Sequence, residues 1–179
     1  MSEDSDLVCA ARRDRQAFAG LYRRWVGDVY RYCLSHTGDP TTAEELTTQV
    51  FLDALEALPR YTERGSFAGW LFTIAHRRWV DHVRRARTTT PIDDLNLADG
   101  AAPDPLGAVI DSQRLSRLNQ LLNSLRPEDQ ELLRLRFAAG LTFAQVGQVI
   151  GRSEGACKMA IQRLIERLRG QWPGADHDD

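Results

Sequence analysis

The stretch from Leu141 to Arg169 does most to limit what this chain can fold into. It reads as two short helices joined by a tight turn. The first runs Leu141-Thr-Phe-Ala-Gln-Val-Gly-Gln-Val-Ile150, with Thr142 as its cap and Gln145 completing a capping box three residues on. Gly151 supplies the backbone freedom a sharp turn needs, and Ser153 caps the second helix, Glu154 to about Arg169. Cys157, Ile161, Leu164 and Leu168 fall on one stripe of that helix and are expected to be buried. The opposite face carries Lys158, Gln162, Arg163 and Arg167, side chains that hydrogen-bond base edges or phosphates. A helix-turn-helix of this kind points to a reader of the DNA major groove. A helical hairpin that docks on protein is the alternative.

The rest of the chain is also helical in pattern. Phe18, Leu21, Tyr22, Trp25, Val29, Tyr32 and Cys33 form a stripe that ends at Gly38-Asp39-Pro40. Thr41 with Glu44 reads as the next capping box, and Leu46, Val50, Phe51, Ala54 and Leu58 as the next stripe, stopped by Pro59. Tyr61 to Gly65 is a loop. Ser66 opens a helix with Phe67, Trp70, Leu71 and Ile74 inward, which continues into an arginine run. Asp111 to Leu125 is a further helix, and Pro127 opens one that Gly140 closes. No segment alternates as a strand. The fold class is therefore all-α.

Charge divides the chain further. The formal net charge is −2, but residues 1–87 carry +1, residues 88–113 carry −5 and residues 114–179 carry +2. The acidity of the middle segment comes from Asp93, Asp94, Asp99, Asp104 and Asp111, and the densest basic run is Arg77 to Arg87. A mean charge hides such faces. Residues 88–110, poor in aromatics and rich in Thr, Ala, Asp, Gly and Pro, read as a flexible acidic linker. This gives two small helical domains, 1–87 and 111–171, with a frayed tail at 172–179.

Several classes of function are disfavoured. No run of 18 apolar residues spans a membrane, and the acidic start lacks a signal-peptide pattern. Cys9, Cys33 and Cys157 are odd in number and lack CxxC spacing, which suits reduced thiols and a cytoplasmic protein. Cys157 reads as a small core residue. Cys33 and His36 are spaced like two zinc ligands, but no second pair lies nearby; Cys33 belongs to the apolar stripe and His36 suits a cationic cap at the helix end. No metal, cofactor or catalytic constellation is expected, and the chain does not read as an enzyme.

Taken together, residues 6–170 resemble a bacterial RNA polymerase sigma factor of the extracytoplasmic-function class. Thr42-Ala-Glu-Glu-Leu-Thr-Thr-Gln-Val-Phe-Leu52 is similar to that family's polymerase-binding helix. Gly65-Ser-Phe-Ala-Gly-Trp-Leu-Phe-Thr-Ile-Ala75 with Asp81-His-Val-Arg-Arg85 resembles its promoter-melting segment, and Leu125 to Leu168 its domain four. The resemblance implies that Glu44, Glu45, Thr48, Gln49 and Asp53 dock on the clamp helices of the largest polymerase subunit. Acidic side chains there suit a basic partner, although charge at a helix N-terminus also accounts for Glu44 and Glu45.

By the same resemblance, the loop from Arg60 to Phe67 recognises the minus-ten element. Arg60, Tyr61, Arg64 and Ser66 are its candidate contacts. Tyr61 can stack on a flipped base, or it can plug the core beside Phe67. Arg77, Arg78, Asp81, Arg84 and Arg85 are implied to hold the melted strand. His76-Arg77 replaces the Arg-Asn common in the family. In domain four the implied minus-thirty-five contacts are Ser153, Glu154, Gly155, Lys158, Met159, Gln162 and Arg163. Here Ala156-Cys157-Lys158 replaces a common Thr-Val-Lys, and Ala160 an often basic position. The implied partners are core polymerase (clamp helices and flap), promoter DNA and an anti-sigma factor. The competing reading is a helix-turn-helix regulator with an N-terminal dimerisation or sensing domain.

Overall fold

The helices Pro40–Ala57, Phe67–Thr89, Phe143–Ile150 and Glu154–Gly170 begin where the sequence supplies a cap. The computed structural model describes residues 3–62, 65–89 and 117–171, which are helical with no strand among them. Helix α1 spans Glu3–Arg13, and a 3₁₀ turn at Arg15–Ala17 leads into α2, Phe18–Thr37. Gly38, at φ 64°, ends α2 in the left-handed conformation that favours glycine. Helix α3 spans Pro40–Ala57. Its cap is Asp39, whose carboxylate accepts from the Thr42 amide at 2.8 Å, and not the expected Thr41. The reason is Pro40. Its fixed φ suits the first helical position, so the helix starts there and Gly38-Asp39-Pro40 is a stop followed at once by a start.

A 3₁₀ turn at Leu58–Arg60 and an extended Tyr61 lead to α4, Phe67–Thr89, where Ser66 Oγ accepts from the Gly69 amide at 3.0 Å. Helix α4 thus enters the first two residues of the segment read as linker. Residues 117–123 form α5 and Pro127–Leu133 form α6, which widens into a π turn at Arg134–Ala138 before Gly140 at φ 69°. Helix α7 spans Phe143–Ile150 with the expected Thr142–Gln145 capping box. Gly151 at φ 71° makes the turn, and α8 spans Glu154–Gly170 with Ser153 accepting from the Ala156 amide. The linker from residue 90 on, the start of the Asp111–Leu125 helix, Arg64 and the tail from 172 lie outside the described residues.

The apolar stripes point inward as their spacing requires. Val29, Tyr32, Val50, Ala54, Leu58, Leu71 and Phe72 are buried in the N-terminal half, as are Leu132, Leu135, Leu141, Val146, Cys157 and Ile161 in the C-terminal half. Full burial of one such large aliphatic or aromatic side chain is worth about 1.5–3 kcal/mol. Tyr22 departs from its stripe and is exposed, though its ring meets Phe51 edge-on at 4.8 Å. The buried residues of both halves form one connected cluster. The two halves are thus packed together, α4 against α7 and α2 against the π turn, where the sequence suggested domains separated by a tether.

Candidate nucleic-acid interface

Helix α8 divides its residues cleanly. Cys157, Ile161 and Leu164 are buried, Leu168 is half-buried, and Glu154, Gly155, Lys158, Met159, Gln162 and Arg163 are exposed on the other side. Ser153 precedes them, its hydroxyl engaged in the cap at 3.3 Å from the Ala156 amide. The structure therefore gathers every expected minus-thirty-five candidate on one solvent face. Cys157 is a core residue, and burial pushes its thiol pKa up.

The outer face of α3 presents Glu44, Glu45, Thr48 and Gln49 to solvent. Because the helix starts at Pro40, Glu44 and Glu45 lie beyond its first turn. Stabilisation by the helix N-terminus fades over that distance, which removes the simplest structural account of the pair. Leu52, half exposed on the same side, is an apolar member that sequence reasoning missed. Its spacing of four from Thr48 and three from Gln49, off the buried stripe, was the available signal.

Asp53, the fifth candidate on that face, binds Arg78 of α4 through both carboxylate oxygens. The hydrogen bond to Asp53 raises the guanidinium pKa of Arg78 further. Two residues assigned to different surfaces are thus each other's partner, and a two-pronged Arg–carboxylate pair of this kind fixes geometry as well as charge. This corrects the reading of Arg78 as a free phosphate clamp. Asp81 is likewise paired with Arg84 at 3.2 Å. Arg77, Arg84 and Arg85 remain on the exposed side of α4, and Arg60 is exposed before it.

Tyr61 requires a second correction. Its ring is buried, edge-on to Phe67 at 5.9 Å and tilted on Trp70 at 4.9 Å. It plugs the base of the loop and is not available for stacking on a base in this arrangement. Burying a large aromatic against two others outweighs leaving it in solvent. Ser66 is half-buried, with its amide donated to Gln148 of α7 at 3.0 Å.

The largest surprise is a polar cluster between the halves. The Tyr32 hydroxyl donates to Glu131 Oε1 at 2.7 Å, and His76 Nδ1 lies 2.9 Å from the same oxygen. His36 Nε2 is 3.0 Å from Glu131 Oε2 but out of line for a hydrogen bond, and its ring stacks on Trp79 at 4.5 Å. His36 is therefore not the solvent-facing cationic cap its helix-end position suggested. Burial lowers its pKa and favours the neutral ring. His76 moves the other way, raised by its hydrogen bond to Glu131. Burial alone would raise Glu131; contact with both histidines and the Tyr32 hydroxyl outweighs it and holds the carboxylate well below its usual range.

Among known proteins, residues 21–89 match the family Sigma-70 region 2 and residues 115–168 match Sigma-70, region 4. The chain is 34% identical over 161 residues to the ECF RNA polymerase sigma factor BldN of Streptomyces coelicolor, covering 87% of this chain but only 60% of that relative. It is 32% identical over 177 residues to the ECF RNA polymerase sigma factor SigK of a Mycobacterium species, covering 95% of this chain and 90% of that one. A solved structure of CnrH in complex with the cytosolic domain of CnrY superposes with a TM-score of 0.70 over 95% of this chain and 97% of that chain. At 20% identity that last likeness is one of fold.

Proposed function

The chain belongs to the extracytoplasmic-function class of RNA polymerase sigma factors, and on that premise we propose how its surfaces divide the work of promoter recognition. The outer face of α3, with Glu44, Glu45, Thr48, Gln49 and the exposed Leu52, docks on the clamp helices of core polymerase. Interleaved carboxylates and one apolar side chain suit a basic helical partner, the charges giving steering and register. Arg60, Arg64 and Ser66 with Arg77, Arg84 and Arg85 take the minus-ten strand, and the Arg78–Asp53 pair braces α4 against α3. Helix α8 reads the minus-thirty-five element through Lys158, Gln162 and Arg163, while domain four rests on the polymerase flap. The acidic linker follows the path of RNA, an anti-sigma factor holds the protein off its polymerase, and its place of work is the cytoplasm. No helix among the described residues is long and apolar enough to cross a membrane.

The observation that carries this reading is α8, whose stripe Cys157, Ile161 and Leu164 is committed to the core while its polar face is left to solvent. The deciding experiment mixes the chain with sigma-free bacterial core polymerase and transcribes a genomic promoter library. Initiation at a shared two-part motif is expected, and Glu44→Lys with Glu45→Lys abolishes it. Sequence-specific binding to a palindromic duplex by a stable dimer, with no binding to core, would instead establish the helix-turn-helix regulator.

A further inference from the structure

The end of α1 carries a basic tip apart from the surfaces already described. Arg12 and Arg13 close the helix, Arg15 lies in the 3₁₀ turn after it, and all three are exposed. Arg12 Nη2 donates to the Pro59 carbonyl at 3.4 Å, which sets the tip against the turn Leu58–Arg60. Arg12, Arg13, Arg15 and the exposed Arg60 thus meet where the candidate minus-ten loop begins. Asp14 lies among them, but its carboxylate accepts the Gln16 amide at 2.9 Å. Arg13, Arg15 and Arg60 make no ion pair among the described residues, whereas Arg24, Arg31 and Arg78 of the neighbouring helices are each paired.

Folding does not account for the whole tip. Positive charge near a helix C-terminus suits Arg12 and Arg13, but Arg15 and Arg60 lie outside α1. The Sigma-70 region 2 match starts at residue 21, so α1 and its turn lie outside it. The candidate minus-ten loop runs from Arg60 to Phe67, and α4 continues from its Phe67 end. Arg77 to Arg85 stand further along that helix, about 15–27 Å from Phe67 at 1.5 Å per residue. The α1 tip stands at the other end of the loop, beside Arg60. We infer that Arg12, Arg13 and Arg15, with Arg60, hold phosphates of the melted strand just downstream of the minus-ten element. This rests on the minus-ten roles proposed above.

Charge favours a nucleic-acid strand over a protein as the occupant. The docking face proposed on α3 carries Glu44 and Glu45, so the polymerase surface that suits it is basic and would repel the tip. A melted strand offers the opposite charge at every nucleotide. The duplex that carries the minus-thirty-five element lies upstream, so the single strand leaves the loop on its downstream side, where α1 supplies the next positive charges. Phe18, the aromatic residue that follows the tip, is buried and offers no ring for stacking. The tip therefore holds the backbone without reading bases.

The test uses holoenzyme made from this chain and core polymerase, with forked templates of one promoter drawn from the library above. One template ends at the downstream edge of the minus-ten element, and the other carries a further stretch of the single strand. Arg13→Gln with Arg15→Gln should weaken the salt dependence of binding to the extended template. Its slope of log K against log salt should fall by about 1.4, for two phosphate contacts on a single strand. Between about 50 and 200 mM salt the wild type should then lose roughly sevenfold more affinity than the variant. On the short template the two should match. Arg13→Lys with Arg15→Lys, which keeps both charges, should follow the wild type on both templates. Equal slopes for the wild type and the Gln pair on the extended template would overturn the contact. So would a Gln pair that binds core polymerase less tightly with no change on DNA, since the tip would then be a protein contact. Should the Gln pair fail to fold by circular dichroism, Arg15→Gln alone, outside the helix, decides with a slope change of about 0.7. A wild-type holoenzyme that does not hold the short template brings down the minus-ten reading and this contact with it. Failure confined to the extension leaves that reading standing and removes the contact alone.

Discussion

At the scale of single residues, Glu131 determines how its neighbours titrate. It is faced by Tyr32 and His36 from α2, His76 from α4 and Arg134 from its own segment. His76 is raised above its ordinary value, so its contribution to stability is fully present below about pH 6.5 and is lost as pH rises through the raised value. His36 is lowered by burial, so its contribution is fully present above about pH 6.5 and is lost as pH falls through the lowered value. NMR titration of the imidazole resonances should find these two histidines on opposite sides of the ordinary value, and Glu131→Gln should bring His76 back towards it. Two histidines that titrate together would contradict the cluster. The thiols give a simpler check. Burial pushes the Cys33 thiol up to about 11 and raises that of Cys157, whereas Cys9 is exposed. A thiol reagent at neutral pH should label one cysteine in the native protein and three after denaturation; fast labelling of a second would mean that one of the cores opens readily.

At the scale of elements, glycine position decides the sign of a substitution. A Cβ at Gly147 would strike the backbone carbonyl of Arg152 in the turn, whereas one at Gly155 meets nothing within 4 Å. Gly147→Ala should therefore destabilise the full chain by about 1–3 kcal/mol, as overpacking usually does. Gly155→Ala, at an exposed helical position, should stabilise it by at most about 1 kcal/mol. Urea titrations of both variants check the contrast, which fails if the two shift stability the same way. Elements were readable from the sequence because their causes are local. The Thr142–Gln145 box, the Ser153 cap and the left-handed Gly151 involve residues three apart or fewer, and a buried stripe repeats within one helix. Where two local signals competed, as Pro40 did with Thr41, the more rigid one fixed the boundary. The exposed candidates of α3 and α8 were readable for the same reason, being what the apolar stripes leave over. Arg78 and Asp53 were not, because their pairing depends on how α4 crosses α3 and not on spacing within either.

At the scale of the whole molecule, the unread part is the seam between the halves. Tyr32 and Glu131 are 99 residues apart, and Ser66 and Gln148 are 82 apart, so no periodicity or cap could pair them. Composition argued the other way, since an acidic linker implies two bodies that move independently. Yet the buried residues of both halves are one cluster, and the polar contacts that Glu131 and Gln148 make across the seam are buried or half-buried. Breaking a buried charged contact from one side leaves the remaining charge uncompensated, a loss of about 3–5 kcal/mol in comparable cases. That is a large fraction of the few to fifteen kcal/mol by which a domain is usually stable. Two halves coupled so strongly should unfold together. Calorimetry of the full-length wild type should give a single transition whose van't Hoff and calorimetric enthalpies agree. In Glu131→Gln the carboxylate that holds both histidines is gone, and the single transition should broaden or split as each half melts by itself. A wild type that already melts in two steps would mean that the seam adds little to the stability of either half. A variant that melts in one step at the wild-type temperature would mean that apolar packing, and not Glu131, joins them.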